Sequence, residues 1–112
     1  MKFALLIRAL PHDALTALDF ARTLLAEHHE IVQIFFQADG VHNGNRLSAP
    51  PPDEPNPLPG WQSLGVDLVL CSTAGLRRGV REANLAPGFR IAGVGQWLEA
   101  ALASDRVLTF GR

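Results

Sequence analysis

The stretch KFALLIRALPHDALTALDFARTLLAEHHEIVQIFF, Lys2 to Phe36, decides the fold class. Lys2 to Ile7 is an apolar run of strand length, the pattern of a strand covered on both faces. From Ala14 to His28, Leu15, Leu18, Ala21 and Leu25 recur every three or four residues, while Asp19, Arg22 and Glu27 fall on other faces. That spacing predicts an amphipathic helix. Asp13 stands where its carboxylate could cap the first turn, and His28 and His29 lie at the negative end of the helix dipole. Ile31 to Phe36 is β-branched and aromatic, so a second buried strand completes a βαβ-type opening.

Outward from this unit the same alternation continues. Val66 to Leu70 reads as a third buried strand that delivers Cys71 at its carboxyl end, and Ser72 to Val80 as a short helix ending near Gly79. A short helix is expected to finish over Trp61 to Leu64. Phe89 to Ala92 predicts a fourth strand, Gln96 to Ala103 a helix with Trp97, Leu98, Ala101 and Leu102 inward, and Arg106 to Phe110 a last strand. Ala38 to Gly60 holds most of the eight prolines together with Asn43, Gly44, Asn45 and Asp53, and reads as a long surface loop, a candidate lid or partner-facing segment. The expected architecture is α/β, with a mostly parallel sheet of about five strands, helices on both faces, and sites at the carboxyl ends of strands.

Composition narrows the function classes. The 112 residues suit one domain, residues 1–112, since independent folds usually run to roughly 100 to 200 residues. With 47% hydrophobic and 19% charged residues the chain can bury a core. Ten basic against eleven acidic residues leave a net charge of -1, without the basic footprint that phosphate-backbone binding needs, so no direct nucleic-acid partner is expected. No apolar run reaches membrane-spanning length, and neither a secretory signal nor a membrane partner is expected. A single cysteine, Cys71, excludes an internal disulfide and suits a reducing, cytoplasmic compartment.

Cys71 is the candidate catalytic residue. Thiolate is the nucleophilic form of cysteine, and a strand end that opens a helix presents free N–H groups and the positive end of a dipole. Arg77 and Arg78 are candidate thiol-activating neighbours. His42, Asn43 and Asn45 follow the second strand on the same sheet edge and are candidate pocket residues, although turns favour such residues anyway. His28 and His29 point in different directions and have no further ligand cluster, so no metal site is expected. Phe89, Trp97 and Phe110 fit a core or an oligomer interface better than base-stacking platforms.

Three chemistries compete at Cys71. Cys71 to Arg77 has the C-x5-R spacing of cysteine-dependent phosphatases, in which backbone N–H groups and a guanidinium cradle a phosphoryl group. Arg78 stands where those sites usually carry a hydroxyl, and Gly75 is the one glycine of the intervening stretch. Sulfur transfer asks less: an accessible thiolate, positive charge nearby and a surface for protein partners, without metal or organic cofactor. A structural subunit with a buried, inert thiol is the third reading.

HEIVQIFFQADGVHNGN (His29 to Asn45), CSTAGLRRGV (Cys71 to Val80) and GVGQWLEAALASDRVLTF (Gly93 to Phe110) together resemble the DsrE-like sulfurtransferases, most closely the TusD-like branch that serves tRNA 2-thiouridine synthesis. The resemblance implies a flavodoxin-like three-layer fold and a persulfide carried on Cys71, with Arg77-Arg78-Gly79 on the segment that follows. It further implies a hetero-oligomer, a heterohexamer with sister TusB/TusC-like (DsrF/DsrH-like) subunits, and a TusE/DsrC-like sulfur acceptor. Related proteins serve oxidative sulfur metabolism, so the resemblance spans a biosynthetic and an oxidative context. Relative to that family the loop from Arg8 to Asp13 and the stretch from Val80 to Gly88 are shortened.

Overall fold

The computed structural model describes all 112 residues. Five strands, β1 (Lys2–Ile7), β2 (Glu30–Phe36), β3 (Leu68–Cys71), β4 (Phe89–Ala92) and β5 (Arg106–Phe110), form one sheet in the order β4-β3-β2-β1-β5. Every pairing is parallel. Four helices accompany them: α1 (Leu15–Ala26), α2 (Leu58–Ser63), α3 (Ser72–Arg78) and α4 (Val94–Leu102). Successive steps from β1 to β4 move one way across the sheet, and α4 then returns the chain past β1 to β5. Right-handed crossovers in opposite directions place helices on opposite faces, which gives the three-layer architecture expected for a flavodoxin-like α/β domain.

Neighbouring phenylalanines on β2 show how both faces are filled. Side chains alternate along a strand, so Phe35 and Phe36 point to opposite sides. Phe35 stacks on Trp97 of α4 at 5.8 Å between ring centroids, whereas Phe36 meets Trp61 of α2 edge-on at 5.2 Å and lies 5.5 Å from Phe89. Phe35, Phe36 and Trp61 are fully buried, each worth roughly 1.5–3 kcal/mol relative to exposure. No helix is long and apolar enough to cross a membrane.

Several expectations are corrected. Asp13 does not cap α1: it ends a 3-10 turn over Pro11–Asp13, Ala14 occupies the N-cap position, and Asp13 pairs instead with His12 at 3.2 Å. On α1 the innermost residues are Ala17, Leu18, Ala21 and Leu24, with Leu25 flanking them. On α4 only Trp97 and Ala100 are buried; Leu98 and Leu102 are 56% and 87% exposed, because the helix turns Trp97 onto Phe35 and carries the i, i+4 row away from the sheet. Val94, Leu98 and Leu102 thus form an exposed apolar row.

The segment from Ala38 to Gly60 is not one surface loop. Ala38–Gly44 is a 3-10 segment with Gly40, Val41, Asn43 and Gly44 buried, and α2 begins at Leu58. Gly40 packs so tightly against β1 that an added Cβ would stand 2.0 Å from the Ile7 carbonyl oxygen. Beyond it, Ala86 N–H donates to the Gly44 carbonyl at 2.7 Å, Arg46 N–H to Asn84 at 2.9 Å, and Asn84 Nδ2 to Asn45 Oδ1 at 3.2 Å. These bonds anchor the chain on both sides of Asn45, leaving irregular structure between Arg46 and Pro57.

Below the sheet edge opposite Cys71, Asp67 accepts two hydrogen bonds from Arg90, at 2.8 and 2.9 Å, and one from Gln33 Nε2 at 3.0 Å. The Arg90 hydrogen bonds hold the Asp67 carboxyl below its ordinary range, outweighing burial, and the same contact raises Arg90. A depressed folded-state pKa stabilises the fold above the unfolded value of about 4, and this contribution is lost as pH falls through the folded value. Asp67→Asn is therefore expected to lower stability at pH 7 by at most about 1 kcal/mol, since both partners are more than a third exposed. Urea denaturation should show that deficit at pH 7 and its progressive loss as the pH falls through the folded value; a deficit independent of pH would contradict the assignment.

Candidate functional site

The carboxyl ends of three adjacent strands build the site. Arg8 follows β1, Gln37 follows β2, and Cys71 closes β3, and all three line one cleft of about 410 Å³. Thr73, Ala74, Arg77 and Arg78 of α3, Ala38, and Val94 at the start of α4 complete its walls. A volume in this range accommodates a small molecule or an inserted peptide segment rather than a folded domain.

Cys71 is at once the last residue of β3 and the N-cap residue of α3, with extended backbone angles of φ -63° and ψ 122°. Leu68 to Cys71 are all buried, so the strand fixes the thiol from behind. The residue is 6% exposed, yet it lines the cleft. The thiol is therefore recessed beneath the mouth of the cleft, within reach of a slender sulfur-bearing group.

The arginines divide by their partners. Arg78 is committed to structure: its Nε donates to Asp39 Oδ1 at 2.9 Å and its guanidinium to the Ala74 carbonyl at 3.4 Å. Arg77 is exposed and forms no ion pair. Gly79, at φ 75°, ends α3 in the left-handed conformation that glycine adopts without strain, and its N–H caps the Gly75 carbonyl.

Arg77 and Arg78 line the same cleft as Cys71, whereas His42 and Asn43 lie outside its lining. Asn43 is 2% exposed and serves the fold: its Nδ2 donates to the Ala9 and Gly40 carbonyls, both at 3.0 Å, and its Oδ1 accepts the Trp61 indole N–H at 3.2 Å. His42 is half-buried on the same 3-10 segment. His29 faces the amino terminus at 3.1 Å and packs edge-on against Phe3, while His28 adopts φ 67° at the end of the α1 turn, so the two form no chelating pair. Arg8 was not singled out by residue pattern. Its signal was positional: it is the first residue beyond a central strand, on the edge where α/β sheets bind ligands.

The phosphatase reading is set aside on geometry. In a C-x5-R cradle the intervening backbone loops around the anion with its N–H groups free. Here Ser72 to Arg78 is helical from the residue after the cysteine, so the later N–H groups are spent within α3.

Comparison with known proteins agrees with this constellation. The model of the DsrE/DsrF-like family matches residues 1–110. The curated Sulfurtransferase TusD of Klebsiella pneumoniae subsp. pneumoniae is 43% identical over 128 residues, covering 98% of this chain and all of that protein. The Sulfurtransferase TusD of Enterobacter sp. strain 638 is 39% identical with the same coverage. Among solved structures, the ychN protein from E. coli superimposes with a TM-score of 0.85 over 98% of this chain and 99% of its own, at 24% identity, a likeness of fold. With a family match from end to end, two relatives well above 30% identity and a strand-end cysteine at the sheet edge, the chain belongs to the DsrE/DsrF-like family.

Proposed function

We propose that the protein is a sulfurtransferase of the TusD type, a sulfur-carrier subunit that accepts sulfur on Cys71 as a persulfide and yields it to an acceptor protein thiol. The observation that carries the reading is the placement of its one cysteine at the floor of an arginine-lined cleft. The Cys71 thiolate attacks the outer sulfur of a donor persulfide, the donor S–S bond breaks, and the donor departs as a thiolate. An acceptor thiolate then repeats the exchange in the opposite sense. Neither step requires a metal or an organic cofactor.

Partner proteins follow from the same reading. The donor and acceptor must each bring a sulfur to a recessed thiol, which suits a mobile cysteine-bearing segment of a TusE/DsrC-like acceptor. Sister TusB/TusC-like (DsrF/DsrH-like) subunits are assigned to the remaining exposed apolar surface, such as the row of Val94, Leu98 and Leu102, since such rows mark protein contacts. The chemistry is the same in the tRNA 2-thiolation relay and in sulfur oxidation, and the protein is assigned to the cytoplasm.

The test is a chase. Protein loaded with labelled sulfur and freed of donor is mixed with a cysteine-bearing TusE/DsrC-like acceptor. The label is expected to move to the acceptor cysteine in a reductant-sensitive bond. Label that stays on the carrier, or leaves only as free sulfide, would contradict the relay role.

A further inference from the structure

We propose that Arg8, together with Arg77, holds the negative charge of the sulfur carried on Cys71, so that the cleft selects anionic sulfur ligands over neutral ones. This rests on the sulfur-carrier reading and assigns its substrate class.

Arg8 extends the β1–β5 ladder, its N–H donating to the Phe110 carbonyl at 2.8 Å, so its Cα is fixed by the sheet. Its side chain is half-buried, and its Nε is wholly buried without a hydrogen-bond partner. A buried guanidinium nitrogen left unpaired is costly and calls for an explanation beyond the fold. No carboxylate neutralises it. Asp39, the nearest acidic residue in chain order to the cleft wall, is bound to Arg78. Asp13 and Asp39 line a second cleft that Arg8 also borders, and neither forms an ion pair with it. Arg8 and Arg77 are thus two unpaired cations on one cleft with a thiol.

Sulfur transfer generates charge there. When the Cys71 thiolate attacks the outer sulfur of R–S–SH, one S–S bond forms as another breaks. The electron pair leaves on R–S⁻, and the proton stays on the transferred sulfur. Loss of that proton to water leaves Cys71–S–S⁻. Both the departing thiolate and the persulfide anion therefore carry negative charge in the cleft, and no oxidant or reductant enters the balance. Fixed cations favour these species, and they favour an anionic reactant approaching the thiol.

The probe is a pair of alkylating reagents of similar size, iodoacetate and neutral iodoacetamide, applied to the intact protein, to Arg8→Gln and to Arg8→Lys. The ratio of the two rates cancels changes in thiol exposure or reactivity shared by both. Arg8→Gln is expected to lower the iodoacetate to iodoacetamide ratio roughly fivefold at low salt, the effect of one charge near contact distance in a wet cleft. Arg8→Lys should restore the ratio to within about twofold, and 1 M salt should compress the difference on screening grounds. An unchanged ratio in Arg8→Gln would overturn the proposal, as would a wild-type thiol inert to both reagents. The two readings separate: wild-type loading with an unchanged ratio refutes the Arg8 assignment alone, whereas a fallen ratio without loading upholds an anion-selective cleft and refutes the sulfur carrier.

Discussion

Cys71→Ser is expected to lose sulfur loading completely, because the protein has no second cysteine to take over. The fold should survive. Serine matches cysteine in shape, and the side chain sits at a strand end beside a cleft rather than at the centre of the core. Stability is expected to fall by about 1 kcal/mol or less, within the ordinary range of single substitutions. Urea denaturation and labelled-sulfur retention, measured on the same preparation, separate the two effects. Retained label on the serine variant would move the chemistry away from Cys71.

Asn43→Ala is expected to do the opposite. Its side chain satisfies the Ala9 and Gly40 carbonyls and the Trp61 indole N–H, all in a region closed to water. Removing it takes a side-chain partner from two carbonyls and an indole N–H and costs about 2–4 kcal/mol, since each buried group left unsatisfied costs about 1–3 and relaxation recovers part. For a domain of this size that is a fall in Tm of roughly 10–20 °C. Sulfur loading per folded molecule should remain that of the wild type at a temperature where the variant is folded. A stable variant that loads poorly would instead make Asn43 part of the thiol pocket.

The β-strands and the cysteine address were legible because their signals are local. The apolar runs at Lys2–Ile7 and Ile31–Phe36, the βαβ spacing between them, and the cap-then-apolar pattern after Cys71 each lie within a few residues. The strands at Phe89–Ala92 and Arg106–Phe110 are found where the pattern places them. What escaped reading depends on distant partners. Asn43 resembles a turn residue until Ala9 and Trp61, 34 and 18 positions away, are seen to need it. The turn-rich composition of Ala38 to Gly44 therefore suggests an exposed loop where Gly40, Val41, Asn43 and Gly44 are buried.

The orientation of α4 failed for a related reason. Trp97, Leu98, Ala101 and Leu102 all look like core residues, but only a narrow face of a short helix reaches the sheet, and the stacking of Trp97 on Phe35 decides which. Leu98 and Leu102 are left for other surfaces. Arg8 was hidden by its identity. A charged residue after a strand ordinarily marks solvent, and only the strand order, which sets β1 and β3 on either side of β2, brings it to the same cleft as Cys71.

The central claim is that Cys71 carries sulfur, and intact-mass spectrometry of the native protein tests it most directly. After incubation with a persulfide donor and removal of excess reagent, the mass of the intact chain is expected to rise by about 32 Da, one sulfur atom on its single cysteine, and to return to its starting value with a thiol reductant. An unchanged mass while that same thiol is freely alkylated would contradict the account.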